Sequence, residues 1–149
     1  MIKIEKILFP TDFSACSKHA LKYALDIAVE RGAKLYILHV IPKINVPVGT
    51  GGLTFPVSKL YEDMENEAKK NIYRLVPKRF MEKIQVENII IRGTPFQEIN
   101  KAAQKYDIDL ITIATHGRTG LSHAILGSTA ERVVRTAPCP VLCVRYRER

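Results

Sequence analysis

Apolar positions along this chain fall into two alternating rhythms: short, largely apolar runs, and longer stretches with a helical period. The runs are KILFP at 6–10, KLYILHVI at 34–41, VENIII at 86–91, DLITIA at 109–114 and PVLCVR at 140–145. Runs of this length suit strands covered on both faces. Between them, Ala20, Leu21, Ala24, Leu25 and Ala28 mark one face of a helix that Ser14 can cap and Gly32 can stop. Leu60, Met64, Ala68, Ile72 and Leu75 mark a second helix, where Met64 is assigned to packing and Pro77 to the end or a kink. Phe96, Ile99, Ala103 and Tyr106 mark a third, with Thr94 as cap and Pro95 in the first helical position. Ala130, Val133, Val134 and Ala137 mark the last. Five strands alternating with four helices predict an α/β fold in a single domain over residues 1–149. Its sheet should be doubly wound, five-stranded and parallel, with right-handed crossovers and helices on both faces.

One irregular segment, IPKINVPVGTGGLTFP at 41–56, interrupts the rhythm. Its glycines at 49, 51 and 52 look like a phosphate loop but lack the Gly-Lys-Ser/Thr ending, so a nucleotide lid and a plain crossover both stay open. Composition adds bounds. The chain is 46% hydrophobic and 26% charged, as in an ordinary soluble domain, and no apolar run approaches the roughly 20 residues that span a bilayer. The start MIKIEKILFPTDF has no apolar leader core or small-residue cleavage site, so a cytoplasmic protein without membrane attachment is expected. Three cysteines cannot pair completely, and no Cys-His spacing suits a metal; reduced thiols packed as small hydrophobes are expected. The net charge of +8 raises the question of nucleic acid. The cations read as scattered over helices and termini, without a basic run interleaved with aromatics, so nucleic acid is not an expected partner. A basic surface also attracts nucleotides.

In open α/β sheets, ligands sit beyond the C-terminal strand ends where the strand order reverses. That rule selects the first loop, Pro10-Thr11-Asp12-Phe13-Ser14, and the fourth, THGRTGLSHAILGST at 115–129. If strands one and four are neighbours, these loops face each other over one crevice, and the backbone at Val40 can read a base edge. Glycine lets amides approach an anion closely. Gly127-Ser128-Thr129 opens a helix, whose unpaired amides and positive dipole end favour phosphate. Arg118 adds charge, and His116 lies in the same loop. Asp12 suits a ribose hydroxyl, or a magnesium ion held by phosphates. Plain structural readings stand beside these: Gly127 as helix-entry packing, Ser128 as N-cap, Asp12 as a turn residue, His116 and His123 as solvent-facing. Placement on adjacent strand ends favours a site. Binding is better supported than catalysis, because no Walker motif, water-orienting Glu or Gln, or nucleophile elbow is present.

The start KILFPTDFS, the strand end LHVI, the loop and the ending APCPVLCVR together resemble the universal stress protein family over essentially the whole chain. The loop is similar to that family's nucleotide signature Gly-x2-Gly-x9-Gly-Ser/Thr. Its second glycine falls on Gly117, the spacer on 118–126 and the close on Gly127-Ser128, while Ala114 stands where the first glycine belongs. The resemblance implies a Rossmann-like fold of the adenine nucleotide α-hydrolase-like group. It also implies a cytoplasmic stress-response protein with ATP as a regulatory ligand, Mg2+ carried through the phosphates, slow turnover at most and a protein partner of unknown identity. The implied nucleotide-binding residues are Pro10, Thr11, Asp12, Val40, Ala114, His116, Gly117, Arg118, Gly127, Ser128 and Thr129. Glycine loss in this loop is associated with family members that bind no nucleotide, so a nucleotide-free dimeric interaction module is the alternative. A homodimer is expected through the strand from Pro140 to Arg145, whose apolar edge invites antiparallel pairing about a two-fold axis.

Overall fold

Residues 1–45, 56–117 and 126–147 are described by a computed structural model of the protein. Most of the 41–56 segment, together with Arg118 and His123, lies outside the described residues.

KILFP forms β1 (Lys6–Pro10), in which Ile7, Leu8 and Phe9 have no exposed surface. Its alternating side chains serve two cores, as a strand covered on both faces must. Helix α1 (Ala15–Arg31) starts where the Ser14 hydroxyl accepts from the Ser17 amide at 3.2 Å. It ends at Gly32, whose φ of 63° turns the chain so that the Ala33 amide reaches back to the Ala28 carbonyl. The chain continues through β2 (Lys34–Pro42), α2 (Val57–Tyr73), α3 (Lys78–Met81), β3 (Val86–Gly93), α4 (Pro95–Lys105), β4 (Leu110–Ala114), α5 (Ser128–Thr136) and β5 (Val141–Val144).

All pairings are parallel, in the order β3-β2-β1-β4-β5. Ile7, Phe9, Leu35 and Ile37 pack on the face covered by α1, α2 and α3. Leu8, Leu38, Val40, Ile111 and Ile113 pack on the face of α4 and α5. This is the doubly wound sheet that the alternation predicts. β1 pairs with β2 along its whole length but with β4 only at Ile7–Leu110 and Leu8–Ile111. The lower end of that seam is stitched by the Asp109 carboxylate, which accepts the Glu5 and Lys6 amides at 2.8 and 2.9 Å. The upper end is left to part.

Three local expectations need correction. Beyond Pro77 the chain does not go straight to a strand but makes the extra one-turn helix α3. Val134 is half exposed, so α5 buries a narrower stripe through Ala130 and Val133. Gly127, not Ser128, occupies the N-cap of α5, and Ser128 is its first helical residue.

Candidate functional site

A cavity of about 370 Å³ opens where β1 and β4 part, at the C-terminal edge of the sheet. Its floor is apolar, made by Leu38, Val40, Ile99, Ile113 and Ala130 from both sides of the switch point. Pockets of this size and character, with a few convergent polar groups, are typical of small-ligand sites. Pro10, Thr11, Asp12, Val40, Ala114, His116, Gly117, Gly127, Ser128 and Thr129 all line it. Of the residues expected from the sequence, only Arg118 has no described position.

The first loop is held in one shape. The hydroxyls of Thr11 and Ser17 share a 2.6 Å hydrogen bond, and the Thr11 hydroxyl also accepts from the Phe13 amide at 3.0 Å. Asp12 uses Oδ1 to accept the Ser14 amide at 2.9 Å, the turn role anticipated for it. Its Oδ2 faces the fourth loop, so close that a Cβ at position 117 would lie 2.6 Å away. Gly117 is therefore glycine for a concrete reason: a side chain there would collide with the Asp12 carboxylate. Phe13 adopts φ of 64°, a left-handed conformation uncommon outside glycine. Its ring packs on His39 at 4.5 Å between centroids, and His39 Nδ1 donates to the Thr11 carbonyl at 2.8 Å. A carbonyl can only accept, so this contact fixes the proton on Nδ1.

On the facing side, the Gly127 amide donates to the Thr115 carbonyl at 2.6 Å. A Cβ at 127 would sit 3.0 Å from that oxygen. The helix entrance can press against the end of β4 because nothing projects from Gly127. The first turn of α5, through Ser128 and Thr129, consequently faces the cavity, and no side chain caps it. Ala114 is the last residue of β4, paired with Val144, and its backbone lies outside the left-handed region. Its methyl belongs to the apolar cluster under α1. An alanine fits here without strain.

Several lining residues escaped the sequence reading. Met64 was assigned to packing alone, yet it reaches the cavity from α2. His39 was read only as part of a strand, although its position next to Val40 at the same strand end was the available signal. Pro95 and Thr115 also line the cavity. Among the described residues, no group of three or more His, Cys, Asp or Glu could hold a metal ion. No described helix is long and apolar enough to cross a membrane.

The sequence profile described as the universal stress protein family matches residues 3–145. Universal stress protein MJ0531 of Methanocaldococcus jannaschii is 38% identical over 145 residues, covering 95% of this chain and 82% of that protein. MJ0577 of the same organism is 31% identical over 98% of both chains. The solved structure of MJ0577 superimposes with a TM-score of 0.85 over 99% of this chain and 100% of its own. The universal stress protein of Archaeoglobus fulgidus, solved in complex with dAMP, shares the fold at 23% identity and a TM-score of 0.60, covering 96% and 98% of the two chains.

Proposed function

The chain belongs to the universal stress protein family, and from that premise we propose that the cavity is an ATP site whose nucleotide acts as a regulatory ligand. The observation that carries this reading is the meeting, over an apolar floor, of the Asp12 carboxylate with Gly117 beyond β4 and Gly127 at the α5 entrance. The base lies on Val40, Leu38 and Met64, where the β2 backbone can recognise its edge. Asp12 Oδ2 takes a ribose hydroxyl or a phosphate-borne Mg2+. The phosphates lie against the Gly117 amide, the amides of the first turn of α5, and the Ser128 and Thr129 hydroxyls, with the bare Cα of Gly127 leaving room for them and His116 and Arg118 at the rim. A universal stress protein of the same fold was solved in complex with dAMP, which favours an adenine nucleotide as the ligand. The nucleotide serves as a bound ligand, with slow turnover at most. The protein acts in the cytoplasm as a stress-response switch, presented to its partner as a dimer built on β5. That apolar edge also favours the second reading, a nucleotide-free interaction module.

Calorimetry with Mg-ATP on three proteins separates the readings. Wild type should bind. Ala114→Gly should change affinity by about tenfold or less, equivalent to 1.4 kcal/mol, since the alanine backbone is unstrained and its methyl faces α1. Gly127→Val should abolish binding, because its side chain must push α5 away from Thr115; a thermal melt checks that the rest of the fold survives. Silence from both wild type and Ala114→Gly would leave only the interaction module. Binding restored by Ala114→Gly alone would make that alanine the residue that closes the site.

A further inference from the structure

The end of α2 and the segment after it, away from the cavity, carry a dense run of positive charge. Residues 69–83 (KKNIYRLVPKRFMEK) hold six cations, Lys69, Lys70, Arg74, Lys78, Arg79 and Lys83, against one carboxylate, Glu82: a net of +5 where the whole chain has +8. All six cations are exposed. The ion pairs among the described residues lie elsewhere and involve none of them. Lys69, Lys70, Tyr73 and Arg74 border one shallow surface concavity, in which the Tyr73 ring is 75% exposed. A second ring, Phe80, lies under the Arg79 guanidinium at 5.1 Å. Tyr73 lies nine residues beyond the cavity residue Met64 on α2, about 13 Å along the helix axis at 1.5 Å per residue. A ligand at one end therefore does not compete with a ligand at the other.

A helix C-terminus attracts cations through its dipole, and that accounts for Lys69, Lys70 and Arg74 at the end of α2. It does not account for Lys78 and Arg79, which begin α3, or for Lys83 beyond it. Nor does it explain a bare tyrosine face set among them. An acidic peptide would need the charges and leave the ring unused. A single strand uses both, because its phosphates pair with Lys and Arg while a base stacks on the ring whatever its identity. We propose that this α2–α3 surface docks single-stranded nucleic acid, with a base on Tyr73 and flanking phosphates on Lys69, Lys70, Arg74, Lys78 and Arg79. The sequence reading set nucleic acid aside for want of a basic run interleaved with aromatics. The stretch from Lys69 to Lys83 is such a run, and the fold exposes it.

Fluorescence anisotropy with labelled oligouridine of about 15 nucleotides, titrated with the full chain across a range of KCl, tests the proposal. Binding should weaken with salt at a log–log slope of about −3, the value for four to five phosphates on a single strand. Lys69→Glu with Arg74→Glu should weaken binding at least about tenfold and flatten the slope by about 1.4. Tyr73→Ala should weaken it about tenfold at unchanged slope, with Tyr73→Phe restoring it. All these positions are exposed, so unchanged thermal melts confirm intact protein. Oligouridine binding that ignores the charge reversals overturns the proposal. So does a duplex of equal length bound as tightly as the single strand. Phosphatidylserine vesicles captured as well as oligouridine, with neither responding to Tyr73→Ala, would make this a membrane-facing surface and equally overturn it.

Discussion

Phe13 occupies a backbone conformation that costs a non-glycine residue about 1–2 kcal/mol. It is held there by its ring on His39 and its amide on the Thr11 hydroxyl. The strain turns the chain so that Asp12 points across the crevice, as over-determined strain at binding loops commonly does. None of this was legible in PTDFS, because the partner that stabilises Phe13 comes from another strand. Asp12 and the glycines were legible, because their chemistry is local and their strand ends were predictable. Thr112 is a residue of the opposite kind, with no apparent task. It is wholly buried on β4, and its hydroxyl has no hydrogen-bond partner among the described residues. Valine has the same shape without the stranded polar group. Thr112→Val should raise stability by about 1 kcal/mol, or roughly 2–4 °C in melting temperature for a chain of this size. A lower urea midpoint in the variant would show that the hydroxyl is satisfied after all.

Among the elements, strands were easier to read than helices. Both faces of the sheet are covered, so each strand is written as an apolar run whose limits the sequence marks with proline and glycine. The α2–α3 region was harder. The long helix stops at Tyr73, short of the expected Leu75 and Pro77, and Pro77 instead caps α3, a four-residue helix too short to leave a periodic signature. The helix opened by Gly127 was anticipated, but Val134 was wrongly assigned inward because a two-residue core stripe cannot be told from a four-residue one by spacing. The two thiols near the last strand give this element a pH dependence. Cys139 and Cys143 are free, and burial against the α4–α5 side pushes both thiols above their ordinary value of 9.0, with Asp109 adding to the rise at Cys139. A raised pKa means that the unfolded chain releases these protons first. Their contribution is therefore fully present below pH 9.0 and lost as pH rises through the folded values. Denaturant midpoints should hold up to about pH 8 and then decline, less steeply in Cys143→Val; identical alkaline slopes in variant and wild type would remove the thiols as the cause.

At the scale of the whole molecule, the cavity is a product of topology more than of any motif. Reversing the winding between β1 and β4 leaves a gap at one end of the sheet, and the first and fourth loops are the ones delivered to its rim. That much followed from the alternation of runs and helices, which is why the loops that line the cavity could be named before its geometry was known. The two sheet edges differ. β3 exposes Asn88, Ile91 and Arg92 and carries the half-exposed Glu87, a border broken by polar and charged groups that resists pairing. β5 offers only Val141, Leu142, Cys143 and Val144. Antiparallel pairing of β5 with its copy would close this edge about a two-fold axis. Sedimentation should therefore find a dimer at micromolar concentration, and Leu142→Lys should shift it to monomer. A wild type that stays monomeric at high micromolar concentration contradicts this arrangement.

The central strand is also the first one synthesised. β1 receives β2 on one side soon after it leaves the ribosome, but the other side waits for β4, and the bond from the Glu5 amide to Asp109 spans 104 residues. At about 5–20 residues per second, that interval lasts roughly 5–20 s. Throughout it, this central strand has one bare edge, the kind of edge that recruits strands from other chains. Birth is thus the moment of greatest hazard for this molecule, and whatever attends the nascent chain must shield β1 until residue 111 emerges.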